Sequence, residues 1–154
     1  MPTVSIISSI HIHVKPDEAF AYVADLTRHG EWSTWPLKVE AVSPGAVVVG
    51  SRYRSVGHML GLALHDELQV TDYQPSSLFG FTVKDVAGVL RHEFTFQPQE
   101  GGTLVVRTVS APVSPLRKLL SSLIIPAVQP QNDKTLQLLK AQLEKMYSKA
   151  STVT

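Results

Sequence analysis

Two stretches carry residue types that could move a proton or anchor a polar group. His65, Asp66 and Glu67 are consecutive, and His92 stands alone among apolar neighbours. Successive side chains on a strand alternate faces, so Asp66 shares its face with Leu64, Leu68 and Val70. If those apolar residues point inward, so does Asp66. A carboxylate there must be paired, hydrogen-bonded or protonated. It could serve as a general base or a ligand anchor. A local bulge that turns it outward, or a structural pair with an arginine, is the plainer explanation. His92 shares parity with Leu90, Phe94 and Phe96, which directs it to the same interior. Neutral imidazole both donates and accepts a proton near pH 7, although a satisfied core histidine is the plainer reading.

Tyr53 shares parity with Ser51 and Ser55, opposite Arg52 and Arg54; if it is inward, its hydroxyl needs a partner. Arg107 alternates with Leu104, Val106 and Thr108, which compete for the inner face, so its direction stays open. His11 and His13 could ligate a metal from one side of a strand, but they lie on its polar face with no third ligand nearby. No metal site is expected. No nucleophile elbow, Gly-rich phosphate loop, HExxH helix or dinucleotide fingerprint occurs, and no cofactor is expected.

These residues need elements to position them. Residues 3–14 alternate, with Val4, Ile6, Ser8, Ile10, Ile12 and Val14 on one face. Pro16 and the acidic pair Asp17-Glu18 suit the first turn of a helix, which runs to Leu26 with a stripe of Ala19, Phe20, Val23 and Leu26. A polar break at 27–30 follows; Gly30 ends or bends the segment and Trp32 closes it. Trp32 and Trp35 sit at this reversal, where large aromatics plug a core or the mouth of a cavity. Strands are expected at 37–42, 47–56 with a bulge at Gly50, 62–73, 78–84, 89–97 and 104–111, separated by Pro, Gly and Ser turns. After Pro115 the apolar period changes to about 3.6. Pro126 and Pro130 should split the last helix into sections near 115–125 and 132–148.

Strands joined by tight turns make an antiparallel sheet, and the last helix is the only large apolar element left to cover one face. The expected architecture is α+β: a seven-stranded antiparallel sheet wrapped around a long C-terminal helix, with two short helices after the first strand. A twisted sheet around a helix leaves space for a ligand.

A chain of 154 residues fits one domain, here 1–150 with a tail at 151–154, burying roughly 70% of its unfolded surface. With 44% apolar and 18% charged residues it is an ordinary globule. The absence of cysteine excludes disulfides and thiolate chemistry and allows a reducing, cytoplasmic location. The N-terminus reads as a strand and not a signal peptide, and Leu116 to Val128 is too short and broken to span a bilayer. A net charge of +1 gives no general pull toward nucleic acid. Residues 115–150 carry six basic residues against two acidic ones, a face that could meet an acidic partner or lipid headgroups, or simply solvent. Homodimer formation stays open.

The order of these features resembles the polyketide cyclase/dehydrase group of the START-like (SRPBCC) superfamily. The matching positions are Pro16, Glu18, Phe20, Ala24-Asp25-Leu26, Trp32 and Trp35, then Val49-Gly50-Ser51-Arg52-Tyr53, Val70 ahead of Pro75, and Gly102-Thr103. The resemblance covers nearly the whole chain and implies the helix-grip fold with a deep apolar cavity. It implies a small hydrophobic ligand, such as a lipid, sterol or polyketide. Trp32, Tyr53, Phe81, Phe94, Arg107, Leu120 and Ile124 are the expected ligand-binding residues. The alternative is a cyclase or dehydratase in which Asp66 or His92 moves protons next to a carbonyl, with Tyr53 or an arginine steadying the enolate oxygen.

Overall fold

The computed structural model describes residues 2–85 and 88–151, side chains at 124 and 148–151 excepted. Residues 152–154 of the expected tail lie outside the described residues. The strands are β1 (Thr3–Ile12), β2 (Leu37–Ala41), β3 (Arg52–Met59), β4 (Leu62–Gln74), β5 (Leu78–Asp85), β6 (Gly88–Gln99) and β7 (Gly102–Pro112). Helix α1 spans Pro16–Val23, a 3₁₀ helix spans Leu26–Trp32, and α2 spans Pro115–Ser151. The strands form one antiparallel sheet in the order β1-β7-β6-β5-β4-β3-β2. The chain returns β7 beside β1, so these two neighbours in the sheet come from opposite ends of the sequence.

Three local expectations are corrected. The first helix stops at Val23, short of Leu26. Asp25 ends it by accepting from the backbone N–H of Thr27 at 3.1 Å, which caps the 3₁₀ turn that follows. Gly30 does not end that segment but lies inside it. A Cβ there would overlap the carbonyl oxygen of Leu37, so only glycine lets the 3₁₀ helix lie on β2. The third strand begins at Arg52 and not at 47. Gly50, at φ +96°, sits in the turn before it.

The C-terminal helix is continuous over 37 residues and is not split. Pro126 and Pro130 each remove a backbone donor, but they are four residues apart and both exposed, so both defects fall on one solvent-facing side. They mark a division in burial all the same. Leu136, Leu139 and Leu143 are buried against the sheet, whereas Leu116, Leu119 and Leu123 are each at least two-thirds exposed. The core joins those buried leucines to Phe20, Val23 and Leu26 of the short helices and to Phe79, Phe94, Phe96 and Val105 of the sheet. Each fully buried side chain of this size contributes about 1.5–3 kcal/mol. Among the described residues no helix is long and apolar enough to cross a membrane.

Candidate functional site

A cavity of about 260 Å³ opens where β6, β7 and the 3₁₀ helix face the middle of α2. Phe81, Phe94, Arg107 and Val109 supply the sheet wall, and Ile6 extends it on β1. His29, Trp32 and Trp35 supply a second wall, and Gln131, Asn132 and Thr135 the helix wall. Trp32 is buried and Trp35 is 44% exposed, so the pair runs from the interior to the rim. His29, Leu37 and Phe81 also border a smaller space of about 150 Å³, whose far side holds Ser55, Asp66 and Leu68.

The sequence elements explain the placement. Leu26, His29 and Trp32 are the buried residues of the 3₁₀ helix. A period of three stacks them on one side, which carries a histidine from an otherwise polar stretch into the interior. His29 Nε2 donates to the Val23 carbonyl at 2.7 Å, leaving Nδ1 as its acceptor nitrogen. Its ring lies 4.5 Å from that of Trp32 and 5.5 Å from that of Phe81. On the other side of Phe81, His92 is stacked nearly parallel at 4.8 Å. The result is a run of four rings, Trp32, His29, Phe81 and His92, held across the 3₁₀ helix and two strands.

Both histidines are neutral at pH 7. Burial pushes His29 down to about 4, with the Arg107 charge adding to the effect against the Val23 hydrogen bond. Burial pushes His92 to about 3, again with Arg107 and then His29 adding to it.

Arg107 is the pivot of the site. It sits on β7 between Ser8 of β1 and Phe94 of β6. Its direction, open in the sequence, is inward: it is mostly enclosed by protein and lines the cavity. Nη1 donates to Oδ1 of Asn132. Nη2 donates to Nδ1 of His92 at 3.4 Å, which fixes the His92 proton on Nε2. Its charge lies 5.8 Å from the centre of the Phe94 ring. Asn132 Nδ2 passes the chain on to Ser8 Oγ at 2.8 Å, and Ser8 donates to Asp133 at 2.5 Å. A row of neutral groups thus separates Arg107 from the nearest carboxylate of the network. Burial lowers the Arg107 guanidinium to about 10, which leaves it charged at pH 7.

Among the described residues two buried side-chain polar atoms lack a hydrogen-bond partner, Arg107 Nε and Trp32 Nε1. Both are donors, and both belong to residues that line this cavity. An unmet buried donor costs about 1–3 kcal/mol.

The other expected site residues fall as follows. Asp66 lines the smaller space, and burial raises its carboxyl above the ordinary range, with Asp85 adding and His65 opposing. It does not border the larger cavity with Arg107. Tyr53 is buried in the core and borders neither space. Leu120 is a correction: it is 44% exposed on the outer half of α2, beyond the part of the helix that meets the sheet, and lines neither space. Ile124 lies outside the described side chains. His11 and His13 meet edge to face, with ring centres 4.7 Å apart, at the sheet margin, and His11 Nε2 bonds the Glu100 carbonyl at 3.1 Å. No cluster of three metal-ligating side chains occurs among the described residues. His29 and Asn132 were not among the expected site residues. The signals for them were the three-residue spacing from Leu26 to Trp32 and a polar residue one turn before Leu136 on an apolar stripe.

A curved antiparallel sheet that grips a C-terminal helix over a cavity is the helix-grip architecture of START-like proteins. The chain belongs to the polyketide cyclase / dehydrase and lipid transport family, whose model matches residues 3–144. Solved structures share the fold at low identity. A Thermus thermophilus protein superposes with a TM-score of 0.71 at 17% identity, covering 93% of this chain and 99% of its own. A Nitrosomonas europaea protein gives 0.73 at 13% identity, covering 94% and 96%. Ara h 8.0201 gives 0.68 at 10% identity, covering 94% and 99%. No curated protein sequence gives a significant match.

Proposed function

We propose that this chain binds or carries one small, mainly apolar molecule in the cavity between the sheet and α2. The observation that carries the reading is the lining itself: Trp32, Trp35, Phe81 and Phe94 around a few convergent polar groups. That combination is what small-molecule sites are built from. The volume of about 260 Å³ lies just below the ~300–1,000 Å³ range of ligand sites. It favours a ligand of one or two rings or a short chain over a sterol or a diacyl lipid.

The cyclase or dehydratase alternative finds less support. The pair expected for it, Asp66 and His92, is not brought together: Asp66 borders the smaller space, and His92 borders neither space and has its Nδ1 engaged by Arg107. A histidine that protonates only near pH 3 is also a weak base at neutral pH.

Native mass spectrometry against short fatty acids, bicyclic aromatic ketones, a sterol and a phospholipid tests the proposal. One-to-one complexes with the ring compounds or short chains are expected. Absence of any complex across all four classes would remove it.

A further inference from the structure

The chemistry of the cavity narrows the ligand further. Its lining contains one charged side chain, Arg107, and no carboxylate. Among the described residues Arg107 forms no ion pair; its acceptors are an amide oxygen and an imidazole nitrogen, both neutral. Among the described residues the two buried side-chain polar atoms left without partners are N–H donors of Arg107 and Trp32. A charged guanidinium held in apolar surroundings is normally paired with a counter-ion. Its fork geometry suits a planar oxyanion.

We infer that the ligand is an apolar carboxylic acid, bound as its anion, with the carboxylate on Arg107 and the ring or chain against Phe94, Phe81 and Trp32. This rests on the cavity being the binding site. A bare phosphate would leave the aromatic walls unused, and a neutral ketone would leave the guanidinium charge uncompensated. Asn132 positions Arg107: its amide oxygen accepts from Nη1 while its amide nitrogen is tied to Ser8. That contact holds one end of the guanidinium beside the cavity that both residues line.

The test is calorimetric titration with naphthalene-2-carboxylate and with its methyl ester, which share the ring system and differ in charge. The acid is expected to bind at least tenfold more tightly than the ester. In Arg107→Gln the ratio should fall to about one. In Asn132→Asp the ratio should also collapse, because the protein then supplies the carboxylate itself; this variant keeps Arg107 and guards against misfolding of the first. Equal binding of acid and ester to the unaltered protein would overturn the inference and leave the cavity reading standing. Inorganic phosphate that displaces the acid at equal concentration would overturn it in favour of a plain anion site. Binding of neither probe would sink both.

Discussion

Arg107 of β7 and Asn132 of α2 join sheet to helix through a hydrogen bond from guanidinium to amide oxygen. The two residues meet at the cavity, and the same amide reaches Ser8 on the neighbouring strand. One side chain therefore ties α2 both to β7, which precedes it directly in the chain, and to β1 from the opposite end of the sequence.

Asn132→Ala should lower stability by about 1–3 kcal/mol, because it strips an acceptor from a buried charge and a donor from Ser8. Urea unfolding at pH 7 checks this. An unchanged midpoint would mean that the contact contributes nothing.

Stability should fall as the pH drops below 6.5. In the unfolded chain His29 and His92 protonate near 6.5, whereas in the fold they resist until about 4 and about 3. Between those values the unfolded state binds more protons, so acid favours it, by about 1.4 kcal/mol per pH unit for each histidine. His29→Gln should flatten the slope between about pH 6.5 and the folded value near 4 by roughly one proton. Unfolding series at several pH values measure it, and an identical slope in the variant would contradict the assignment.

Asp66→Asn should stabilise the protein at neutral pH. Burial raises the carboxyl of Asp66, so the fold holds its proton better than the unfolded chain does, and the charged form at pH 7 costs stability. The advantage of the variant should shrink as the pH falls toward the ordinary carboxylate range. Thermal melts at pH 7 and pH 4 read this directly; a variant less stable at pH 7 would show that the charge is compensated.

Gly30→Ala should damage both stability and binding. The added Cβ would overlap the Leu37 carbonyl oxygen, which forces the 3₁₀ helix away from β2. Overpacking of this kind costs about 1–3 kcal/mol. His29, Trp32 and Leu37 ride on those two elements, so the cavity wall should move with them. Denaturant midpoints and the naphthalene-2-carboxylate titration check the two effects, and wild-type values in both would refute the packing explanation.

The seven strands and the family were legible because both rest on strong local signals: alternation along β1, β4 and β6, and the Trp32-Trp35 pair after a striped helix. Alternation directed His92 to the apolar face of β6 but left Asp66 conditional on its neighbours, of which Leu68 and Val70 are buried and Leu64 is exposed. Arg107 could not be oriented that way. Both faces of β7 carry branched apolar residues, and only the pairing with Ser8 and Phe94 decides between them. His29 was hidden for a different reason. In a 3₁₀ helix the burial period is three, so Leu26, His29 and Trp32 align although the stretch between them looks polar. The continuity of α2 escaped the sequence because proline's penalty is local. With both prolines on the exposed side, the helix keeps its course toward Leu136.

The most direct test of cavity binding is isotope-edited NMR of the protein with naphthalene-2-carboxylate, observing contacts between the probe and individual side chains. Binding in the cavity predicts contacts from the ring to Phe94 and Trp32 on one side and to Thr135 of α2 on the other. Contacts confined to exposed residues such as Leu119 and Leu123, with the signals of Phe94 and Trp32 unmoved, would contradict it.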